Sequence, residues 1–380
     1  MKYPTAMFTV RMAIIINLPP SSFSLFKKGE GILCSLKSRY RAEMLSKFYI
    51  LLVLSITCFP SFAQDPQFSQ YYNAPLYLNP AFAGTAQHTR AGVNFRTQWT
   101  SVSAPYQTYS AFIDHNFEPK KMGLGFMLMR DRQGTQKLSY TSATAFYSYQ
   151  LNINDKLTFR PGLSAGIAIR DANYNNYTFG DQLNSNGNTG AASTDPYSSL
   201  NSKIAYPDFG TGGLLYSKRF WIGVSASHIN RPSQSFNHSG YHLPVKTSVH
   251  GGYKFYLDPV NKSGYNERSI TPSFNFRSQG KYDQLDLGVN ITYDPIMFGL
   301  WYRGIPLKHY LPGFNNNEAL VFMAGMHYNK LSIGYSYDFT ISKLTPSSGG
   351  SHELSLVYEW AYPYRKKIGR PLPCPKFYNH

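Results

Sequence analysis

Residues able to do covalent chemistry are few in this sequence, and their spacing suits no familiar reaction. There is no G-x-S-x-G elbow, P-loop, H-E-x-x-H or EF-hand loop. His309, His327 and His352 fall singly at the ends of alternating segments and build no metal site. Asp131, Glu353 and Glu359 sit on polar faces, where a hydrogen-bonded network suits them better than an acid–base pair. Gly210-Thr211-Gly212-Gly213 opens no helix, so it reads as strand glycine and not a phosphate cradle. Cys34 and Cys58 precede the expected cleavage site, which leaves Cys374 as a lone thiol and excludes an internal disulfide. No catalytic residue, metal or cofactor is expected. A hydrolase built on this chain would need a Ser–His pair that linear spacing does not reveal.

The elements that would carry any site are strands. Leu331, Ile333, Tyr335, Tyr337 and Phe339 alternate with Ser332, Gly334, Ser336 and Asp338. Leu354, Leu356, Tyr358 and Trp360 alternate with polar partners, as do Leu285, Leu287, Val289, Ile291 and Tyr293. Period two gives each strand one apolar and one polar face. A soluble sandwich shares that pattern. Segments of about ten residues, aromatic strand ends and a small polar opposite face favour a membrane barrel. Strands are expected near 90–98, 105–115, 121–131, 137–150, 156–170, 207–217 and 219–228, then near 245–257, 268–278, 282–293, 295–304, 318–328, 330–340 and 351–360. The fold class is therefore all-β, a transmembrane antiparallel β-barrel of about fourteen strands. The odd set of 331–339 should face lipid, so an arginine placed at Ile333 should cost roughly 2–4 kcal/mol if it sits at midplane, and one at Ser332 much less. The connections 171–206 and 229–244 are long and polar.

Composition agrees. Aromatics make up 16% and charged residues only 15%, a mixture suited to membrane-interface belts. The net charge of +17 is spread along the chain, which argues for contact with outer-membrane lipid headgroups and against nucleic acid.

Residues 44–63 read as a signal peptide: Lys47, the apolar run Phe48–Cys58, then Ser61-Phe62-Ala63 ahead of a cut before Gln64. Met44 resembles an initiator, so residues 1–43 read as an extension of the gene model. Ser55-Ile56-Thr57-Cys58 is a loose lipobox and the competing reading. Residues 64–88 form an N-terminal periplasmic or plug segment, 89–360 the barrel, and 361–380 a basic, Pro-rich tail.

An ordered set of motifs carries a family resemblance: Gln64-Asp65-Pro66-Gln67-Phe68-Ser69-Gln70-Tyr71-Tyr72, Asn79-Pro80-Ala81-Phe82-Ala83-Gly84 and Phe95-Arg96-Thr97-Gln98-Trp99, followed by Ala104-Pro105. Pro207-Asp208-Phe209-Gly210-Thr211-Gly212 continues it in the middle. Gly334-Tyr335-Ser336-Tyr337-Asp338-Phe339 and Gly350-Ser351-His352-Glu353 complete it. The order resembles the PorP/SprF family of Bacteroidota over nearly all of 64–360. The resemblance implies an outer-membrane, non-catalytic component of the type IX secretion and gliding machinery. Its partners would be other secretion components and a large secreted adhesin. Gln67, Phe68, Gln70, Tyr71 and Tyr72 are candidate partner-docking residues. Two other readings stand beside this one: a passive porin or small-molecule uptake barrel, and a barrel enzyme. N-terminal mass spectrometry of the mature protein should find Gln64 first, and a peptide acylated at Cys58 would establish the lipobox instead.

Overall fold

In the computed structural model the described residues are 65–360 except 87, 135–137, 173–177, 186, 196–197, 199–202, 237–241, 258–266, 312–313 and 343–347, and side chains are not described at 306–311 and 314–315. The expected signal peptide, residues 1–43 and the tail at 361–380 lie outside the described residues.

Fourteen long strands follow one another around a single cylinder. They are β1 (Thr89–Gln98), β2 (Tyr106–Phe117), β3 (Met122–Gln133), β4 (Leu138–Tyr149), β5 (Thr158–Asp171), β6 (Lys203–Tyr216) and β7 (Phe220–Ser227). Then come β8 (Lys246–Tyr253), β9 (Arg268–Gln279), β10 (Tyr282–Tyr293), β11 (Ile296–Leu311), β12 (Phe314–Tyr328), β13 (Leu331–Thr340) and β14 (Ser351–Trp360). Each pairs antiparallel with its neighbours in sequence. β14 closes on β1 from Thr89↔Trp360 to Gln98↔Ser351, so no edge is left open. Among the described residues no helix is long and apolar enough to cross a membrane. A closed barrel crosses by strands, because its ladders satisfy the backbone groups that lipid cannot.

The two ends of the cylinder differ. The end holding Thr89 and Trp360 has short connections at 118–121, 217–219, 294–295 and 329–330, with 150–157 and 254–267 longer. In the turn at Asn329-Lys330, Asn329 takes φ 55, the left-handed backbone a two-residue hairpin needs. The other end carries the connections 99–105, 172–202, 228–245 and 341–350 between short hairpins.

Alternation decides what faces what. Leu128 at 50% exposure and Phe298 at 56% belong to an outer apolar belt with Val93, Leu163, Val224 and Leu354. Ile333, Tyr335 and Phe339 point outward and Ser332, Ser336 and Asp338 inward, as the odd set requires. The inner face is packed at Ser332, however. Ser332 is 2% exposed, so a larger side chain there meets packed atoms and not an open lumen.

Three strands outrun their expected limits. β6 begins at Lys203, ahead of Pro207, and pairs with the top of β5. β11 and β12 continue as one hairpin through residues expected to be loop. Register shifts at Arg303/Gly304 and beyond absorb the irregular backbone, with Gly304 at φ 144.

Outward polarity yields a test. Leu356 lies on the outer face of β14, opposite Val93 and Ile333. Leu356→Arg should lower the unfolding free energy by roughly 2–4 kcal/mol, the range for an arginine near the bilayer midplane. Thr97→Arg, near the strand end, should cost about 0–1 kcal/mol. Equal losses in urea titrations of the refolded barrel would contradict this orientation.

Candidate functional site

The lumen is occupied by the chain's own N-terminal segment, residues 65–86. It has little regular structure: a 3-10 turn at Tyr71–Asn73, one helical turn at Pro75–Leu78 and a second 3-10 turn at Pro80–Phe82. Both prolines open their turns, where a missing N–H does no harm. Asn79 caps the second 3-10 turn, its Oδ1 accepting the Ala81 N–H at 2.9 Å. Such a segment cannot satisfy its own backbone, so the barrel wall must supply the partners.

The densest supply is a ladder of alternating charge. Glu353 on β14 and Asp338 on β13 both pair with Arg96 on β1, at 3.2 and 2.7 Å. Asp338 also holds Arg303 on β11 at 2.7 Å, and Arg303 holds Asp286 on β10 at 2.9 Å. Arg277 on β9 ends the row, 2.6 Å from Asp286. Ser69 of the segment sits at its centre. Its Oγ donates to Asp338 at 2.7 Å and accepts from Arg96 at 2.7 Å and Arg303 at 2.8 Å. The Glu353 carboxylate accepts the successive backbone N–H groups of Ser69 and Gln70 at 2.7 and 3.0 Å. Gln70 and Asn73 continue down β14 through Ser355.

Lower in the barrel, Asn79 Nδ2 donates to the carbonyls of Gly213 and Val224, each at 3.1 Å. Arg90 and Asp114 pair at 2.8 Å, and Asp114 also accepts the Gly84 N–H at 2.8 Å. Ser148 Oγ donates to the Ala83 carbonyl at 2.6 Å. Aromatic edges fill the remainder: Tyr71 meets Trp301 at 5.2 Å, Tyr72 meets Trp221 at 5.7 Å, and Phe68 meets Tyr77 at 5.4 Å.

Glycines in the wall make the close fit possible. A Cβ at Gly162 would lie 2.3 Å from the Ala81 nitrogen, and one at Gly212 would lie 2.1 Å from Asn79 Oδ1. Gly212 belongs to the strand-glycine stretch of β6. Gly123 and Gly162 act in the same way, and nothing in their spacing singled them out.

At its first described residue the segment is held by a second charged cluster. Asp65 accepts from His228 Nε2 at 2.7 Å and from Lys246 Nζ at 2.9 Å. Asp208 accepts from His228 Nδ1 at 2.8 Å. Burial alone would raise the Asp65 carboxyl, but Lys246 and His228 outweigh it and hold the group well below the usual carboxylate range. Burial would lower the His228 imidazole, and Asp65 and Asp208 reverse that, raising it to about 9. The Asp65 contribution is thus lost as pH falls through its depressed pKa, and that of His228 as pH rises through about 9.

These contacts redistribute the residues singled out in the sequence. Phe68 is 1% exposed, and Gln70, Tyr71 and Tyr72 are also buried, so their expected docking role is corrected. With the lumen filled, no partner can reach them, and they bind the segment to the wall. Gln67 is half-buried and donates to Glu318 at 3.1 Å. Asn79, Pro80 and Gly84 seat the lower part of the segment. Arg96, Asp338 and Glu353 come together in the ladder. Tyr335 and Tyr337, at alternate positions to Asp338, face outward with His352, whose Nδ1 lies 2.7 Å from the Tyr335 hydroxyl. Trp99, at φ 59, leaves β1 with its N–H bonded to the Gly350 carbonyl at 2.8 Å.

The close fit at Gly162 is open to trial. Gly162→Val should displace residues 79–82 and convert a closed barrel into a conducting one in planar bilayers, with the heat-modifiable gel shift retained. A folded variant with wild-type conductance would mean that this contact does not seat the segment.

Comparison with known proteins adds the family. No curated protein matches the sequence. Among solved structures, an outer-membrane protein of Acinetobacter baumannii is 6% identical, covering 71% of this chain and 98% of its own at a TM-score of 0.39. A TodX mutant described as a monoaromatic hydrocarbon channel is 11% identical, with 75% and 92% covered and a TM-score of 0.43. A Rh. blastica porin mutant is 8% identical, with 72% and 99% covered and a TM-score of 0.32. The model of the type IX secretion system membrane protein family PorP/SprF matches residues 61–358, and the chain belongs to that family.

Proposed function

We propose that this barrel is a non-catalytic outer-membrane part of the type IX secretion apparatus that supports the export or surface attachment of large adhesins. The observation that carries the reading is the filled lumen in a member of that family. A porin needs a continuous aqueous path, whereas Ser69, Gln70 and Asn73 here are bonded across to β13 and β14 in the interior. Specificity must then come from surfaces. The long connections 172–202 and 228–245, rich in Asn, Ser and Tyr, offer adaptable hydrogen-bonding contact of the kind binding loops use. The partners proposed are other secretion components, a large exported adhesin and the surrounding lipid.

Deleting the gene in the native host should stop one or more large proteins from reaching the cell exterior while uptake of small solutes stays unchanged. Surface proteomics with a solute-uptake assay reads both. Normal surface display beside a lost uptake activity would make the porin the better description.

A further inference from the structure

The lumen segment has a direction. Asp65 is held by His228, just past the last residue of β7, by Lys246, the first of β8, and by Gln279, the last of β9. All three stand at the end of the cylinder with the long connections. Ser69 meets Arg96, Asp338 and Glu353, each about two residues from a strand terminus at that same end. Asn79 lies further down, against Gly213 and Val224. Ala83 and Gly84 meet Ser148 and Asp114 near the opposite rim, where β1 begins at Thr89. The segment therefore enters at the long-loop end, descends the whole lumen and turns into β1 at the tight-turn end.

Burial follows the same course. Asp65, Pro66 and Gln67 are half-buried; from Phe68 to Ala86 every residue is buried except the half-buried Tyr77. Tyr77 folds back toward the entry, its hydroxyl donating to the Pro66 carbonyl and its ring lying 4.3 Å from Lys246 Nζ. The accessible part of the segment is thus its amino end, at one mouth only.

In barrels of this class the short turns face the periplasm and the long loops the exterior. We propose that the amino end of the mature chain is displayed at the cell surface, with Asp65–Gln67 forming part of the outer mouth beside the long loops. Of the two expected places, periplasmic rim and plug, the segment takes the second: it spans the lumen and reaches the tight-turn end only where it joins β1. Asp65–Gln67 then face the exterior and not the periplasm, with Asp65 fastened to the mouth by His228 and Lys246.

The test is topological and independent of secretion. A short epitope is inserted between Gln64 and Asp65, with control epitopes in the Asn154-Asp155 turn and in the Asn184–Gly187 turn of a long connection, one per strain. Antibody staining of intact cells should detect the Gln64/Asp65 and Asn184–Gly187 epitopes and miss the Asn154-Asp155 epitope until the outer membrane is permeabilised. Staining at Asn184–Gly187 without staining at Gln64/Asp65 would overturn the threaded arrangement. Staining at Asn154-Asp155 alone would reverse the two ends and overturn it equally. Should the insertion disturb folding, Gln67→Cys in a Cys374→Ser background, labelled with a membrane-impermeant maleimide, asks the same question. Labelling of intact cells supports the display, and labelling only after permeabilisation refutes it.

Discussion

Six charged side chains gathered inside a membrane barrel constrain everything else in this structure. Glu353, Arg96, Asp338, Arg303, Asp286 and Arg277 alternate in sign across β14, β1, β13, β11, β10 and β9. Such a row is tolerable only when every charge is paired and its remaining hydrogen-bonding capacity is met, since removing one partner of a buried pair typically costs about 3–5 kcal/mol. The wall alone leaves much of that demand unmet. Ser69 and Gln70 supply part of it, with the Ser69 hydroxyl shared among two arginines and a carboxylate, and with the amides of Ser69 and Gln70 on Glu353. The segment and the barrel complement each other: the segment has only three short turns of its own, and the wall's charged row gains hydrogen bonds from it.

The same economy appears in shape. Lumen-facing positions of β3, β5 and β6 carry glycine where the segment's backbone runs against the sheet, so that Ala83, Ala81 and Asn79 lie where side chains would otherwise be. Outward-facing positions of the same strands carry Leu128, Leu163 and Phe209. One strand thus solves two packing problems on its two faces, lipid outside and a polypeptide inside, and period-two alternation is what keeps them separate.

Filling the lumen also changes which residues can meet a partner. The aromatic and amide residues at 68–72 look like recognition groups in a list, but geometry uses them as internal adhesive. What remains available is the outer mouth with the long connections, and the outward ring of Tyr335, Tyr337 and His352.

Local sequence determined a great deal here. The strand periodicity of 331–339 and 351–360 tells which residues face lipid, because a strand sends successive side chains to opposite sides whatever its neighbours are. The order of short motifs carries the family. Tertiary structure alone decided where residues 65–86 go. They have no period, and their contacts link positions as distant as Ser69 and Glu353, separated by 284 residues. The sequence shows Arg96, Arg303, Asp286, Asp338 and Glu353 as isolated charges on five different strands; only closure of the barrel brings them to one point. It likewise cannot say that Gly162 and Gly212 face a backbone and not water, or that the chain enters its own barrel from the long-loop end. Those facts arise from a register around fourteen strands, and no stretch of sequence contains that register on its own.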